Sequence, residues 1–122
     1  MQRESIYDRM TNAEKEVAKL LRNLDIEWVY EKPVFVWDEN NRPRVWTPDF
    51  YLKHFGFYIE ICSSVEFDYE YRRRIFNNNG IQVIFLHLYK DIEKWRYHLF
   101  NYLLKFENLR IIKINKIIKI IP

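Results

Sequence analysis

The run at residues 81–88, IQVIFLHL, is the feature that most restricts how this 122-residue chain can fold. It is almost continuously apolar, which is typical of a strand buried on both faces. A helical pattern at 65–79 precedes it, with three apolar residues spaced four apart: Phe67, Tyr71 and Ile75. A strand, a helix and a buried strand in this order predict a right-handed crossover and parallel pairing. The expected class is therefore α/β, in an α+β arrangement with a mixed sheet.

The first helix is predicted to begin at a capping box, in which Thr11 and Glu14 bond each other's backbone N–H groups. Apolar residues then follow at helical spacing: Val17, Leu20, Leu21 and Leu24. Glu14 lies at the end of this apolar stripe. Its carboxylate should therefore sit at the rim of the core rather than on the solvated face.

An antiparallel hairpin is predicted next, from an extended run at 27–37, a polar turn at 38–43 and a returning strand at 45–53. Pro33 has no N–H for a strand ladder, so the first strand should lie at an edge or break there. Gly56 supplies the following turn because it can adopt a positive φ. The chain then enters a third strand at 58–62.

Side-chain alternation places two acids together. Successive residues of a strand point to opposite faces, and one face of these two strands is apolar: Phe50, Leu52, Ile59 and Ile61. Asp49 and Glu60 fall on the other face of neighbouring strands, which lie about 4.8 Å apart. Like charges at that distance repel and are costly to desolvate unless a cation or hydrogen bonds compensate them. A divalent cation such as Mg²⁺, which commonly binds through one or two carboxylates plus substrate phosphate, is the expected compensator.

At this point the residues resemble a known family. Pro48-Asp49, followed by Glu60 within Ile59-Glu60-Ile61-Cys62, is similar to the motif of the PD-(D/E)XK nuclease superfamily. The family's shared core is α-β-β-β-α-β, the order predicted between residues 11 and 88. The resemblance implies a metal-dependent DNA endonuclease, with branched or structured DNA as a possible substrate. It also implies that Glu14, Asp49, Glu60 and the carbonyl of Ile61 bind Mg²⁺ or Mn²⁺.

The chain departs from that family at one position. The family has a lysine two residues after the second acid, where it orients the attacking water, and here that residue is Cys62. A thiol supplies no fixed positive charge. Three arginines on the following helix are the nearest replacements in sequence: Arg72, Arg73 and Arg74. Arg74, three residues after Tyr71, is expected to point inward and to stabilise charge in the reaction.

Basic residues elsewhere point to nucleic-acid contact. The net charge is only +3, and the 14 residues from 109 to 122 contain four basic residues and no acid. Six residues are predicted to contact the DNA backbone: Arg42, Arg44, Arg72, Arg73, Lys113 and Lys116. After a helix at about 91–106, the Ile-rich tail is expected to form a strand, although its lysines recur every three residues as on a helix. The prediction is a single nuclease-like domain over 1–122, assembled as a homodimer.

The compartment follows from what the sequence lacks. No stretch approaches the ~20 apolar residues of a membrane span, and residues 1–10 contain no apolar signal region. A single cysteine excludes an internal disulfide. A cytoplasmic, intracellular protein without membrane contact is expected.

Other interpretations of the same residues remain open. The fold could bind nucleic acid or a protein partner without cleavage, or form a structural dimer through its tail. Cys62 could act as a nucleophile with His54, His87 or His98, but a half-buried structural cysteine is commoner. The arginines at 72–74 could form a solvated helix face, because acidic residues precede them: Glu66, Asp68 and Glu70.

Overall fold

A computed structural model describes residues 5–62, 68–89 and 94–120. Within these residues it contains three α-helices and six strands, after a 3-10 turn at Ile6–Arg9. The elements in chain order are α1 (Asn12–Asn23), β1 (Val29–Tyr30), β2 (Val34–Trp37), β3 (Pro43–Trp46), β4 (Phe50–Leu52), β5 (Phe57–Cys62), α2 (Tyr69–Asn78), β6 (Val83–His87) and α3 (Lys94–Ile120). The protein is thus a mixed α and β structure.

The main sheet is mixed, with strand order β1-β4-β5-β6. β4 pairs antiparallel with β1 and β5, whereas β5 and β6 pair parallel, with Glu60 opposite Phe85. The parallel crossover predicted from the sequence is therefore confirmed. The turn between β4 and β5 uses Gly56 at φ 79°, as expected.

Two apolar layers cover the sheet. On one face, α1 and α3 pack against the alternating residues predicted to face the core: Phe50, Leu52, Ile59 and Ile61. On the other face, α2 and the β2–β3 hairpin form a second core around Cys62, Phe76 and Phe85. The strand β6 contributes to both cores, because Ile84 and Leu86 belong to the first and Phe85 to the second. The strand expected within 81–88 is Val83–His87, and only its three central residues, 84–86, are buried, on alternating faces of the sheet.

The predicted hairpin is divided into two parts. β2 and β3 form a separate two-stranded sheet, while the residues before β2 and after β3 join the main sheet as β1 and β4. A proline lies at each interruption, Pro33 on one strand and Pro48 on the other. Because proline cannot donate to a ladder, pairing stops at the same level on both strands.

The prediction of a strand for the tail is wrong. α3 continues without interruption from Lys94 to Ile120. The segment contains no glycine or proline before Pro122, and extending an existing helix adds one hydrogen bond per residue at little cost. The three-residue spacing of the lysines was therefore the informative signal. The predicted start of this helix near residue 91 lies outside the described residues.

Among the described residues, none of the helices has the length and apolar character needed to cross a membrane.

Candidate active site

Asp49 lies in the short link between β3 and β4, directly after the buried Pro48. Its Oδ2 atom accepts a hydrogen bond of 2.6 Å from the backbone N–H of Ile61. Burial, together with the neighbouring charge of Glu14, raises the pKa of Asp49 to about 6, although the hydrogen bond from the Ile61 N–H opposes the shift. The carboxylate is thus fixed at the end of β5, where its charge also raises the pKa of Glu60.

The same hydrogen bond locates the carbonyl of Ile61. The N–H and C=O of one strand residue point to the same neighbouring strand in an antiparallel pair. Since the Ile61 N–H meets Asp49 on the β4 side, its carbonyl is directed to that side too, away from β6. This carbonyl and the Asp49 carboxylate therefore lie on the same side of β5, just beyond the start of β4, where no residue of β4 pairs with Ile61.

Glu60 forms an ion pair with Arg72. Glu60 Oε1 lies 3.2 Å from Arg72 Nη2, and the two side chains are only 13% and 16% exposed. Burial raises the pKa of Glu60 to about 7, and the positive charge of Arg72 opposes that shift. A buried ion pair of this kind is sensitive to loss of either partner, because the remaining charge is left uncompensated.

Aromatic rings hold Arg72 in place. Its guanidinium carbon lies 4.7 Å from the ring centre of Trp46 and 5.5 Å from that of Phe76. Trp46 ends β3, and Phe76 lies one helical turn after Arg72 on the buried face of α2. Planar guanidinium groups stack on aromatic faces while they donate hydrogen bonds in their own plane. This geometry keeps the charge beside Glu60.

Glu14 is the third acid of the site. The capping box is present as predicted, with Glu14 N–H bonded to Thr11 Oγ1 at 3.2 Å and Glu14 Oε1 accepting from Thr11 N–H at 3.4 Å. Glu14 is only 9% exposed, in agreement with the expected rim position. Its negative charge raises the pKa values of both Asp49 and Glu60, so the three carboxylates act on one another.

Two buried carboxylate oxygens of the site are compatible with a bound cation. Glu14 Oε2 and Glu60 Oε2 are buried and have no hydrogen-bond partner within the described residues. Buried polar atoms of this kind call for an explanation such as a bound ion or water. A cluster of three or more His, Cys, Asp or Glu side chains arranged to hold one ion is not found in the described part of the chain. Mg²⁺ is commonly bound by fewer protein side chains, one or two carboxylates, with substrate phosphate completing its shell.

The arginine that contacts the acids is Arg72 rather than Arg74. Arg74, expected to point inward, is exposed and lies 3.8 Å from Glu39, so that expectation is wrong. Arg73 pairs with Glu70 at 3.4 Å. Arg72 lies one helical turn before the buried Phe76 and is the arginine of α2 that pairs with Glu60.

The other predicted nucleic-acid contacts belong to the β2–β3 hairpin and to α3. Arg44 pairs with the buried Asp38 at 3.1 Å, and Arg42 is exposed at the end of the hairpin. Lys116 is exposed on α3, whereas the side chain of Lys113 lies outside the described residues.

Cys62 is an inert side chain in this fold. It is fully buried in the second core, and burial raises the pKa of its thiol to about 12. Cys62 stands opposite His87 in the β5–β6 register, but His87 Nδ1 is 3.1 Å from the Tyr89 hydroxyl. A thiol that stays protonated at neutral pH is a poor nucleophile, which favours the interpretation of Cys62 as a structural cysteine.

Two further groups at the site were missed by the sequence reasoning. Tyr30, on β1, has a raised pKa because of burial and the neighbouring negative charge of Glu14, and its hydroxyl donates to the Arg9 carbonyl at 3.4 Å. Glu31 donates its backbone N–H to the Asp49 carbonyl at 3.0 Å, and its charge raises the pKa of Asp49. Glu31 adopts a positive φ of 54°, two residues before the break at Pro33, and no pattern in the sequence indicates that turn.

Comparison with protein-family models, curated proteins and solved structures finds no match to this chain.

Proposed function

We propose that this protein is a metal-dependent DNA endonuclease of the PD-(D/E)XK type, with a restriction-endonuclease-like core. Asp49, Glu60 and the carbonyl of Ile61 would hold Mg²⁺ or Mn²⁺, with Glu14 as a further acid at the rim. The observation on which the proposal depends is the ion pair between Arg72 and Glu60 at 3.2 Å. It places a permanent cation beside the second acid, although the sequence has Cys62 where the superfamily has lysine.

Several properties of Arg72 support this role. Guanidinium is always protonated and matches phosphate with paired donors. The rings of Trp46 and Phe76 fix its position, so little ordering is needed when a substrate arrives. A preorganised donor aimed at developing charge is worth roughly 10²–10³ in rate in other hydrolytic sites. Arg72 is therefore assigned to stabilise charge on the scissile phosphate.

The three acids have distinct roles in the proposed reaction. A divalent cation bound here would polarise the phosphodiester and lower the pKa of the attacking water. Asp49, held by the Ile61 N–H, is the most rigidly positioned ligand. Glu60 keeps one oxygen for Arg72 and has a second, buried oxygen without a hydrogen-bond partner among the described residues. Glu14 is oriented by its capping box and adds negative charge at the rim.

One alternative has support from a specific residue. Cys62 is fully buried and cannot replace the missing lysine. A protein with this fold could therefore bind nucleic acid without cleaving it, with Arg72 serving only to neutralise Glu60. The alternative predicts binding of DNA but no hydrolysis with any divalent cation.

Nicking of supercoiled plasmid DNA with Mg²⁺ or Mn²⁺ distinguishes the two functions. The wild type is compared with Glu60→Gln and Asp49→Asn, and Glu39→Gln is the matched control because Glu39 is an exposed acid on the hairpin. We expect nicking by the wild type and the control, none with EDTA, and a loss of at least 100-fold in the two site variants. Equal nicking by all four proteins would contradict the proposal.

A further inference from the structure

The β2–β3 hairpin presents an apolar face to solvent. Alternation along β2 buries Val34 and Val36, and therefore turns Phe35 and Trp37 outward. The register places Val45 opposite Phe35 and Pro43 opposite Trp37. We call these four residues the outer hairpin face. Phe35 is 80% exposed, Trp37 60% and Val45 57%, values far above those of ordinary core residues.

The hairpin is held rigidly against the rest of the protein. The side chain of Asn79, at the end of α2, accepts from Trp37 N–H at 2.9 Å and donates to the Trp37 carbonyl at 3.0 Å. In the turn, Asp38 Oδ1 accepts from the backbone N–H groups of Asn40 and Arg42, both at 2.9 Å. The exposed rings are thus fixed on an ordered element rather than on a loose loop.

The outer hairpin face is close to the candidate active site along the chain. Val45 immediately precedes Trp46, whose ring stacks on Arg72. From Val45, which lies opposite Phe35, to Asp49 the chain advances four residues, at most about 13 Å at ~3.3 Å per residue, and from Pro43, which lies opposite Trp37, it advances six residues, at most about 20 Å. These distances correspond to about four to six base-pair steps of ~3.4 Å. A nucleic acid bound at Asp49 and Glu60 can therefore reach the exposed rings.

The size and chemistry of the face favour a nucleic acid over a second protein copy. At 150–250 Å² for each aromatic side chain, Phe35 and Trp37 together expose on the order of 250–300 Å². A stable protein interface buries about 800 Å² on each partner. Exposed aromatic rings beside a basic residue, here Arg42 at the turn, are the combination that binds unpaired bases. Bases offer their ring faces only where the duplex is open.

We propose that the outer hairpin face binds unpaired bases, with Phe35 and Trp37 stacking on nucleotides next to the duplex at the active site. This inference rests on the proposed endonuclease function for the location of that duplex. It defines the substrate class as duplex DNA adjoining a single-stranded segment, such as an overhang, flap or fork. Stacking on one base accounts for about 5- to 150-fold in affinity, without strong sequence preference.

Binding is tested without cleavage, in EDTA, by fluorescence anisotropy. A blunt duplex is compared with the same duplex carrying a thymidine overhang. The variants are Trp37→Ala and Phe35→Ala, and Tyr97→Ala is the matched control because Tyr97 is 70% exposed on α3. We expect the wild type and the control to prefer the overhang. Each hairpin variant should lose at least fivefold in affinity for the overhang, with little change for the blunt duplex.

Three results would overturn the inference: no preference of the wild type for the overhang, an equal loss on both DNAs, or no loss in either variant. A dimer that becomes monomeric in Trp37→Ala with unchanged DNA affinity would also overturn it, because the face would then belong to a second copy. Cleavage is scored separately with Mg²⁺. A wild type that cuts but lacks the overhang preference refutes this inference alone, whereas preference without cutting refutes the endonuclease function.

Discussion

The affinity of the site for Mn²⁺ should fall steeply as the pH is lowered from 8 to 6. Burial raises the pKa of Glu60 to about 7 and that of Asp49 to about 6. A carboxylate must lose its proton before it can bind the cation, so protons compete with Mn²⁺ in this range. Exposed carboxylates, with ordinary pKa values near 4, would be ionised throughout and would give no such dependence.

The expected size follows from the two pKa values. The probability that both carboxylates are ionised falls from about 0.9 at pH 8 to about 0.05 at pH 6, which predicts a loss of about 20-fold in affinity. Between pH 8 and pH 7 the loss is only about twofold. Binding should also release about one proton per Mn²⁺ at pH 6.5 and about 0.1 at pH 8.

Isothermal titration calorimetry measures both quantities. The affinity is determined at pH 6, 7 and 8, and the proton release is obtained from buffers of different ionisation enthalpy. Asp49→Asn removes one of the two titrating ligands and should weaken binding at every pH, whereas Glu39→Gln, a change at an exposed acid, should behave as the wild type. An affinity that changes less than threefold between pH 8 and pH 6 would refute the assignment of these two carboxylates as ligands.

The remaining predictions concern charge and stability. Arg72→Met keeps apolar contact with Trp46 but removes the cation, and should lower the plasmid-nicking rate by about 10²–10³, while Arg74→Met at an exposed position should leave it unchanged. Metal-free protein should be more stable at pH 5.5 than at pH 8, because the pKa values of Asp49 and Glu60 are higher in the folded protein than in the unfolded chain. The resulting stabilisation is fully present below the pKa values of the unfolded chain, near 4, and is lost as the pH rises through 6 and 7. Glu60 contributes about 2 kcal/mol to this difference in the free energy of unfolding. Urea denaturation should therefore show a much smaller difference between pH 5.5 and pH 8 for Glu60→Gln than for the wild type. Asn79→Ala should lower the free energy of unfolding by about 1–3 kcal/mol through loss of its hydrogen bonds to the hairpin, and Asn78→Ala, an exposed neighbour, by much less. Equal denaturation midpoints for the two asparagine variants would show that the hairpin is held by its apolar contacts alone.

The parts of the fold that were predictable are those fixed by local pattern. The capping box at Thr11 and Glu14 depends on residues three apart, and the structure contains it. Alternation along the strands predicts one face for Asp49 and Glu60, because strand period does not depend on distant contacts, and in the structure the charge of Asp49 raises the pKa of Glu60. The buried run at 81–88 likewise identified β6 and its parallel pairing with β5.

The choice of arginine could not be made from sequence spacing alone. Each residue of a helix is rotated by about 100° from the last, so a small error in the buried face selects a different side chain. The spacing of Phe67, Tyr71 and Ile75 favoured Arg74. In the structure the most buried residues of α2 are Ile75 and Phe76, and Arg72 lies one turn before Phe76. Including Phe76 in the apolar pattern would have selected Arg72.

The hairpin and the tail depended on competition between local preferences. Pro33 was recognised as a break, but the matching effect of Pro48 on the opposite strand became clear only from the register. In the tail, isoleucine favours a strand, whereas continuation of an existing helix favours α3. The second preference prevailed because α3 contains no glycine or proline. The exposed rings of Phe35 and Trp37 could not be recognised until the inner and outer faces of β2 were known.

The central claim is that Asp49, Glu60 and the Ile61 carbonyl bind a divalent cation beside Arg72. Crystals grown or soaked with Mn²⁺ test it most directly through anomalous diffraction. The predicted result is an anomalous peak within about 2.5 Å of Asp49 and Glu60 oxygens, with Arg72 still in contact with Glu60. A Mn²⁺ peak elsewhere on a protein that cleaves DNA would contradict the account.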